Sequence, residues 1–455
     1  MKKLFTPLEI TKTKKNHKDI KSLTGFKNKK VLIMGLGLLG GGKGAVKFFV
    51  KEGARVSVTD KRTPKDLKES LNKIKRLPVK LVLGRHRKED FKNCDLIIKN
   101  PAVPNDSPYL GIAKNYNIPI KTDIDIFFDL CKVPIIGVTG TKGKSTVATL
   151  IYLFLKNKYP ATILAGNIGV SPLEILPKLT KKGKVVLELS SFELENLKKS
   201  PRVAVITTIF PDHLNRYKSL RDYIKAKEPI FKYQKKKDIL VLNYNNPYTR
   251  KFALSAPSKV YFFKDSNISA ALVVAKIFKI SKKNIEKVLS NFKGVPNRQE
   301  LIAVKKGVKY INDTTSTTPQ SAILAINTFK KRFPDSRIIL IAGGLDKNLN
   351  YKDLAKEIQK KVDYLVLLPG TASNKLKKEL KKFRIYPANS MEKAVLIAKN
   401  LAKKGDIVLF SPGAASFNLF KNEFDRGKKF RQALKKSEVT VEVKPQQPYD
   451  YETST

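Results

Sequence analysis

A glycine-rich loop between a buried strand and a helix constrains this chain more than any other stretch. Residues 134–146 read PIIGVTGTKGKST. The apolar run that ends at Val138 has the length and boundaries of a buried strand, and the segment TVATLIYLFLKNK places apolar residues at helical spacing. In such a strand–loop–helix unit, backbone N–H groups and the positive end of the helix face bound phosphates. The stretch therefore predicts a nucleoside-triphosphate site.

The side chains of this loop suit a nucleotide that carries Mg²⁺. Lys144 can place a positive charge near the β- and γ-phosphates, and the Ser145 hydroxyl can ligate the metal. Val138 stands five positions before Gly143, where the usual Walker pattern has a glycine. A solvated turn is the plain alternative, and it would not require the flanking strand and helix. We predict that ATP contacts Gly140, Thr141, Lys142, Gly143, Lys144, Ser145 and Thr146.

Length and composition limit the class of protein to which this chain can belong. The chain has 455 residues, of which 42% are hydrophobic, so we expect about two to four domains with buried cores. No stretch is long and apolar enough for a membrane span, and the N-terminus MKKLFTPLEI lacks the apolar core of a secretory signal. Two cysteines, Cys94 and Cys131, cannot build a disulfide framework, and three histidines exclude a His-rich metal cluster. These features predict a cytoplasmic protein without membrane insertion.

The formal net charge of +52 is of the kind found in nucleic-acid-binding proteins, so this class is considered. However, the lysines are spread along every segment, and no nucleic-acid-binding motif with interleaved aromatic residues is present. A lysine-biased enzyme surface that favours anionic substrates explains the charge better. A basic nucleic-acid-binding ATPase is kept as a minority alternative.

The first part of the chain carries a dinucleotide-type fingerprint. The strand KKVLIMG leads to Gly35, Gly37 and Gly40 in GLGLLG, and the strand RVSVTD ends at Asp60. This pattern places a diphosphate at a helix N-terminus and a ribose or base near the acidic residue. Taken alone it suggests NAD or FAD, so an NAD-dependent oxidoreductase is a second alternative.

Two further stretches alternate strands with helices, including a predicted helix over about 219–231, and favour mainly parallel sheets. The predicted fold class is α/β with three domains: a Rossmann-like N-terminal domain, a central phosphate-loop ATPase domain and a Rossmann-like C-terminal domain. Predicted bounds are 1–130, 131–298 and 299–440, followed by a disordered tail at 441–455. Ligands of such sheets bind beyond the carboxyl ends of the strands. Polar residues that fall there in the central domain are Glu188, Asp212, His213 and Asn243.

Glu188 ends a predicted central strand, where a buried carboxylate requires a cation. Together with Ser145 it would offer Mg²⁺ two hard oxygen ligands. An ordinary capping carboxylate is the alternative. His213 alone would more often be structural than a metal ligand, and its place after a strand strengthens the functional interpretation.

Seven stretches, taken together, resemble the successive motifs of the Mur ligases. They read PIIGVTGTKGKST, VVLELSSFELE, PDHLNRYKSLRDYIKAK, FKGVPNRQE, INDTTSTTP, IAGGLDK and SPGAASFNLFKNEFDRGKKF. The match is collinear from about residue 29 to 435. The resemblance implies a domain for a UDP-linked substrate, a central ATPase domain and a mobile C-terminal domain. It is strongest to the members that add D-glutamate to UDP-N-acetylmuramoyl-L-alanine in peptidoglycan synthesis.

The resemblance also implies roles for single residues. The UDP-linked substrate would contact Gly37, Leu38, Leu39, Asp60, Lys61, Arg62 and Asn167. Nucleotide contacts beyond the loop would come from Asn267, Arg298 and Asp313. D-glutamate would be bound by Thr315, Thr317, Lys347, Ser416 and Phe417.

The metal and catalytic residues follow from the same resemblance. Ser145 and Glu188 match ligands of the Mg²⁺ bound to ATP, and His213 matches a ligand of a second Mg²⁺. Lys227 matches the lysine that the family carbamylates, which turns a cation into an anion that can bind metal. Without the resemblance, Lys227 would be interpreted as one solvated lysine among many. Lys144, His213 and Lys227 are the predicted catalytic residues.

Five positions depart from the family pattern. Asn297 stands where the family often has His, Thr315 where several members have Lys, and Glu423 where an aromatic residue is common. The adenine motif HNxxN is kept only as Ser266-Asn267, with Ala270 at its second Asn.

The expected reaction is ATP-dependent amide formation through an acyl phosphate, by a monomer. The nearest alternative is a ligase of the same family with another amino acid or acceptor.

Overall fold

The computed structural model describes residues 25–38, 40–214, 216–264, 266–292, 294–380, 383–416 and 419–436. Two predicted site residues, Leu39 and Phe417, lie outside the described residues, as does the predicted tail at 441–455. By its contacts the chain divides into two compact units. The first comprises the chain up to Val133 together with Ala165–Lys181, and the second comprises Pro134–Leu164 and the chain from Lys182 onward.

A five-stranded parallel sheet, in the order β3-β2-β1-β4-β5, forms the first unit. Its strands are β1 (Lys30–Met34), β2 (Arg55–Asp60), β3 (Val79–Leu83), β4 (Leu96–Lys99) and β5 (Ile120–Lys121). Its helices are α1 (Gly41–Lys51), α2 (Lys68–Asn72), a 3₁₀ helix (Lys88–Phe91), α3 (Pro108–Asn115) and α4 (Asp123–Leu130). Parallel pairing of β1 with β2 brings Met34 beside Thr59, so the glycine loop after β1 lies near Asp60.

The central sheet has six strands in the order β11-β10-β9-β6-β8-β7. The strands are β6 (Ile135–Thr139), β7 (Ile163–Gly166), β8 (Val185–Glu188), β9 (Val203–Ile206), β10 (Ile239–Asn243) and β11 (Lys259–Phe263). The helices in this sequence range are α5 (Lys144–Lys158), α6 (Pro172–Ile175, with a 3₁₀ turn over Leu176–Lys178), α7 (Ser191–Leu194), α8 (Leu220–Lys225), α9 (Pro229–Lys232), α10 (Pro247–Phe252), α11 (Asn267–Ile277) and α12 (Lys282–Asn291). Of these, α6 belongs to the first unit. Strand β6 lies between β8 and β9, so the phosphate loop emerges at the centre of the sheet.

The predicted helix over 219–231 is wrong in one respect, because it is divided into α8 and α9. Pro229 begins the second helix, and a proline has no N–H to continue the hydrogen-bond ladder of the first. Lys227 lies in the break and is 1% exposed. The interruption therefore sets a lysine side chain inside the protein rather than on a helix surface.

A third sheet, of six strands, has the order β12-β13-β17-β14-β15-β16 and contains one antiparallel pair, β12 with β13. Its strands are β12 (Glu300–Lys305), β13 (Val308–Asn312), β14 (Ile338–Ala342), β15 (Tyr364–Leu367), β16 (Ile385–Pro387) and β17 (Ile407–Phe410). Its helices are α13 (Pro319–Arg332), α14 (Lys352–Lys361), α15 (Thr371–Glu379), α16 (Met391–Leu401) and α17 (Glu423–Lys436).

Helices cover both faces of the third sheet. Ile338 and Leu340 belong to one apolar cluster with α13, α14 and α15, whereas Ile339 and Ile341 belong to another with α16 and α17. Alternate residues of a strand point to opposite faces, so a strand buried on both sides is apolar throughout. The predicted α/β class is confirmed.

Candidate active site

The phosphate loop connects β6 to α5. Gly140 and Gly143 have φ values of 144° and 88°, in the left-handed region that favours glycine. A side chain at 140 would overlap Thr207, and one at 143 would overlap Asn267. Asn267, predicted to contact the nucleotide, therefore lies against the loop. The backbone N–H groups at the start of α5 are left to face a ligand, as expected for a phosphate site.

Lys144 is folded over this loop. Its ammonium group donates to the carbonyl oxygens of Gly140 and Thr141 at 3.1 and 3.0 Å. Burial lowers the pKa of Lys144, and the Glu188 carboxylate acts in the opposite direction. The lysine charge is thus held at the loop, where a phosphate group would be bound.

Ser145 and Glu188 meet in the interior. The Ser145 hydroxyl donates a hydrogen bond to Glu188 Oε2, and the two residues are 3% and 0% exposed. Their proximity follows from the parallel pairing of β6 with β8, which sets Val138 beside Glu188. Two protein oxygens suit Mg²⁺, which usually keeps several waters and takes further ligands from phosphates. In the described part of the chain, no three His, Cys, Asp or Glu side chains form a metal-binding group.

Asp212 and His213 follow β9 at the same edge of the sheet. His213 adopts a φ of 55°, a backbone conformation that costs a non-glycine residue about 1–2 kcal/mol. The backbone N–H of His213 donates to Asp212 Oδ1 at 2.8 Å, and the imidazole Nε2 lies 3.6 Å from Asp212 Oδ2. Burial lowers the pKa of His213 to about 3, although nearby Asp212 favours the charged form. A neutral imidazole is the form that can ligate a metal.

Lys227 reaches the phosphate loop from the break between α8 and α9. Its Nζ donates to the Gly140 carbonyl at 3.2 Å and lies 4.5 Å from the centre of the Tyr223 ring. Burial lowers the pKa of Lys227 well below its usual value, with Lys144 adding to the effect. Among the described residues, no carboxylate forms an ion pair with this ammonium group. The structure therefore brings Lys144, Ser145, Glu188 and Lys227 around one loop.

Asp313 and Arg298 lie on the third sheet's side of this site. Asp313 accepts hydrogen bonds from the Gln299 N–H at 3.1 Å and the Ser411 hydroxyl at 2.8 Å. Burial raises the pKa of Asp313 to about 6. Arg298 is partly buried and lowers the pKa of both Lys142 and Lys144 through its charge. Both predicted nucleotide contacts are therefore close to the phosphate loop.

The predicted amino-acid residues converge on the same region. Lys347 Nζ lies 3.1 Å from Asp212 Oδ1 and 3.4 Å from Thr317 Oγ1. Thr315 donates its hydroxyl to the Asn297 carbonyl at 3.1 Å. Ser416 Oγ is buried and has no hydrogen-bond partner among the residues that the structure describes, so it could bind a ligand carboxylate.

Arg426 is a residue that sequence reasoning missed. It is 0% exposed and donates to the carbonyl oxygens of Thr314 at 2.7 Å and Ala414 at 2.9 Å. It thereby ties the loop that carries Thr315 to the loop that carries Ser416. The available signal was periodicity, because Arg426 shares the apolar face of α17 with Phe430.

A cavity of about 540 Å³ lies at the carboxyl ends of β1 and β2 in the first unit. Asp60 accepts hydrogen bonds from the N–H groups of Gly37 and Arg62, at 3.2 and 2.9 Å. Predicted residues that line the cavity are Gly37, Asp60, Lys61 and Arg62. Leu38 and Asn167 are exposed and are not part of its lining.

His86 and Asn100 also line this cavity and were not predicted. The Asn100 amide donates to the Gly35 carbonyl at 3.2 Å, and His86 Nδ1 lies 2.7 Å from the Thr59 hydroxyl. The turn NPAVP at the end of β4 was a usable signal for Asn100, since ligands bind at that end of a parallel sheet.

The fold and the loop define an α/β nucleotide-binding protein. None of the helices described is long and apolar enough to cross a membrane. Three family models match the chain: the MurD-like N-terminal domain of Mur ligases over residues 29–122, the Mur ligase middle domain over 138–303, and the Mur ligase glutamate ligase domain over 297–413.

Curated relatives extend the match to nearly the whole chain. The UDP-N-acetylmuramoylalanine–D-glutamate ligase of Roseiflexus sp. (strain RS-1) is 40% identical over 462 residues, which cover 89% of this chain and 98% of the relative. The ligase of the same name from Borreliella burgdorferi (strain ZS7) is 38% identical over 449 residues, which cover 90% of this chain and 98% of the relative. The chain belongs to the Mur ligase family, as the seven motifs predicted.

Solved structures support the fold. The UDP-N-acetylmuramate–alanine ligase MurC of Thermotoga maritima superposes with a TM-score of 0.61 at 18% identity, over 90% of this chain and 100% of that one. The MurF ligase of Thermotoga maritima, in complex with ADP, gives a TM-score of 0.57 at 18% identity, over 90% of this chain and 95% of that one.

Proposed function

We propose that this chain joins D-glutamate to UDP-N-acetylmuramoyl-L-alanine in an ATP-dependent reaction of peptidoglycan synthesis. The observation that carries the proposal is the placement of Lys347, which pairs with Asp212 beside the phosphate loop, while Ala415, next to Ser416, pairs with Leu345 on the Lys347 loop. A cation and an unpartnered buried hydroxyl suit the carboxylates of an amino acid. The names and the coverage of the curated relatives support the same substrates.

The first step is activation of a carboxylate. An oxygen of the acceptor's terminal carboxylate attacks the γ-phosphorus of ATP, and the bond from that phosphorus to the bridging oxygen breaks. ADP departs, and the acceptor becomes an acyl phosphate. Lys144 would offset charge on the transferring group. Gly140, Thr141, Lys142, Gly143 and Thr146 would surround the phosphates, and Asn267, Arg298 and Asp313 would contact the rest of the nucleotide.

The metal sites would be built from the residues around the loop. We propose that Ser145 and Glu188 hold one Mg²⁺, and that His213 and a carbamylated Lys227 hold a second. Bound Mg²⁺ would supply positive charge opposite the phosphate oxygens. Lys227 is buried beside Gly140. At this place a bound metal ion would repel an ammonium group and attract a carbamate anion. The burial of Lys227 therefore supports the carbamate.

The second step is amide formation. The neutral amine of D-glutamate attacks the acyl carbon, its nitrogen releases a proton to solvent, and phosphate leaves from the tetrahedral intermediate. Thr315, Thr317, Lys347 and Ser416 would hold the carboxylates of the amino acid, and Phe417 is assigned to the same site from its motif. Gly37, Leu38, Leu39, Asp60, Lys61, Arg62 and Asn167 are assigned to the UDP-linked substrate. The Asp60 cavity supports the assignment for four of these seven residues.

We further propose three domains with bounds near residues 130 and 298, and a monomer that acts in the cytoplasm. The free cysteines Cys94 and Cys131 are consistent with a reducing compartment.

Phosphate release tests the function. Purified protein is incubated with ATP, Mg²⁺ and UDP-N-acetylmuramoyl-L-alanine, with either D- or L-glutamate. We expect release with D-glutamate that is absent with L-glutamate and in the Lys144→Ala variant. Incorporation of L-lysine or L-alanine alone would assign the chain to another ligase of the family. Hydrolysis stimulated by nucleic acid, without a response to the UDP-sugar, would favour the nucleic-acid-binding ATPase instead.

A further inference from the structure

The phosphate loop carries a second lysine that bonds outside its own loop. Lys142 Nζ donates a hydrogen bond of 2.8 Å to the carbonyl oxygen of Thr315, which is 173 residues away in sequence. Thr315 lies in the segment Asp313–Thr318 between β13 and α13, here called the amino-acid loop. Lys144, two positions further along, instead folds back on the carbonyls of Gly140 and Thr141. The two lysines of GTKGKS therefore have different partners.

We propose that Lys142 is a positioning residue that holds the amino-acid loop against the phosphate loop. The inference rests on the proposed function and names a residue that sets the affinity for the amino acid. Lys142 is tied to the chain that carries Thr315 and Thr317, whereas its own backbone belongs to the nucleotide site. A single side chain thus fixes the separation of the two sites at which the reacting groups are bound.

Lys347 makes the reverse connection, from the third sheet to the central sheet. Lys347, from the loop after β14 of the third sheet, reaches Asp212, which follows β9 of the central sheet, at 3.1 Å. Lys142, from the central sheet, reaches Thr315, which follows β13 of the third sheet. Two bridges in opposite directions hold these loops together. The position of the amino-acid loop therefore depends on the central sheet as well as on its own.

The charges around Lys142 predict how its bond to Thr315 would respond to bound nucleotide. Lys144, Arg298 and Lys347 all act against the positive charge of Lys142, and the Asp212 carboxylate supports it. Burial is the largest cause of a pKa lowered to about 7 for Lys142. A triphosphate in the loop would offset the repulsion and favour the ammonium form. We therefore expect the bond to Thr315 to be strongest when nucleotide is bound.

The Thr315 position itself is consistent with this role. Thr315 is 7% exposed and stands where several members of the family carry a lysine. The amino-acid loop itself contains no lysine or arginine, and Lys142 brings a cation to it from the phosphate loop.

Kinetics of Lys142→Met and Lys142→Arg variants test the proposal, with Lys282→Met as a matched control. Lys282 has a side chain that is 91% exposed on α12, so its loss changes net charge without touching the site. We expect Lys142→Met to raise the KM for D-glutamate by about tenfold or more, as for loss of one charged hydrogen bond. The KM for ATP should rise by a smaller factor. Lys142→Arg should fall between wild type and Lys142→Met, and Lys282→Met should match wild type.

Amide hydrogen exchange gives a readout that does not depend on turnover. With the ATP analogue AMP-PNP and Mg²⁺ present, amides of residues 313–318 should exchange faster in Lys142→Met than in wild type. Equal rises in the two KM values, or unchanged exchange in this segment, would overturn the proposal and make Lys142 a plain phosphate ligand. If Lys142→Met does not fold, the same two measurements on Lys142→Arg decide. Failure of wild type to use D-glutamate would refute the proposed function instead, and the exchange result would still stand.

Discussion

The Lys347 ammonium group lies 3.1 Å from the Asp212 carboxylate, and their side chains are 12% and 6% exposed. The pair joins the third sheet to the central sheet next to His213. Burial opposes the charge on Asp212, but Lys347 and the other neighbouring cations lower the pKa of Asp212 well below its usual value. An amino-acid carboxylate that binds Lys347 would do so beside Asp212. We therefore expect the ion pair to affect both stability and substrate affinity.

Replacing Asp212 with Asn should destabilise the protein by about 3 kcal/mol, because it leaves a buried lysine without its counter-charge. We also expect a higher KM for D-glutamate, since Lys347 loses the group that orients it. Thermal unfolding and steady-state kinetics measure the two effects. The double variant Asp212→Asn/Lys347→Met should be little less stable than Asp212→Asn alone. Additive losses would show that the two side chains do not act as a pair.

Arg426 should be essential to the geometry of the amino-acid site, although it contacts no predicted ligand. Arg426→Met leaves the buried carbonyls of Thr314 and Ala414 without donors, so we expect a loss of about 2–4 kcal/mol. The KM for D-glutamate should rise as well, because the loops of Thr315 and Ser416 are no longer joined. Chemical denaturation and kinetics check both.

Arg431, on the same helix, provides the matched control for Arg426. Its side chain is 34% exposed and pairs with Glu300 at the surface. Arg431→Met should cost less than about 1 kcal/mol and leave the KM unchanged. Equal effects of the two substitutions would contradict a special role for Arg426.

Much of the candidate site could be predicted because it lies on strands and turns with strong local patterns. Glu188 and Asp212 each follow an apolar run, and parallel strands bring their carboxyl ends to one edge of a sheet. Glu188 and Asp212 could thus be placed near the predicted phosphate loop before the structure. Asp60 was found in the same way, from the glycine pattern and the end of β2.

The long-range contacts within the second unit could not be predicted. Lys142 and Thr315 are 173 residues apart, and Arg426 is 112 residues from Thr314. Neither contact follows from the periodicity of one helix or strand, because each depends on how separate loops pack. The break at Pro229 was predictable in principle from its missing N–H. The burial of Lys227 there required the fold.

A buried carboxylate in the first unit should make stability depend on pH. Asp123 is 6% exposed, and burial raises its pKa to about 6. The folded protein therefore holds this proton more tightly than the unfolded chain, whose pKa is about 4. The resulting contribution to stability is complete below about pH 4 and is lost as the pH rises through about 6.

The Asp123→Asn variant tests this dependence. It keeps the shape of the side chain and cannot ionise, so it should be more stable than wild type at pH 7.5, by up to about 3 kcal/mol, with no such gain at pH 4. Thermal unfolding at both pH values gives the comparison, with the exposed Asp335→Asn as the control. A gain of equal size at the two pH values would rule out titration of Asp123 as the cause.

Lys227 provides the sharpest test of the proposed chemistry, because a cation and a carbamate at this position predict opposite results. Lys227→Ala should abolish turnover, and a small carboxylate such as formate should restore part of it by supplying the missing anion. Lys227→Arg keeps a positive charge and cannot form the same carbamate, so it should be inactive and insensitive to formate. Activity in Lys227→Arg would show that the site needs the cation, and full activity in Lys227→Ala would falsify the carbamate role. Because Lys227 is 1% exposed and bonds to Gly140, both variants should be checked for folding by their unfolding temperatures.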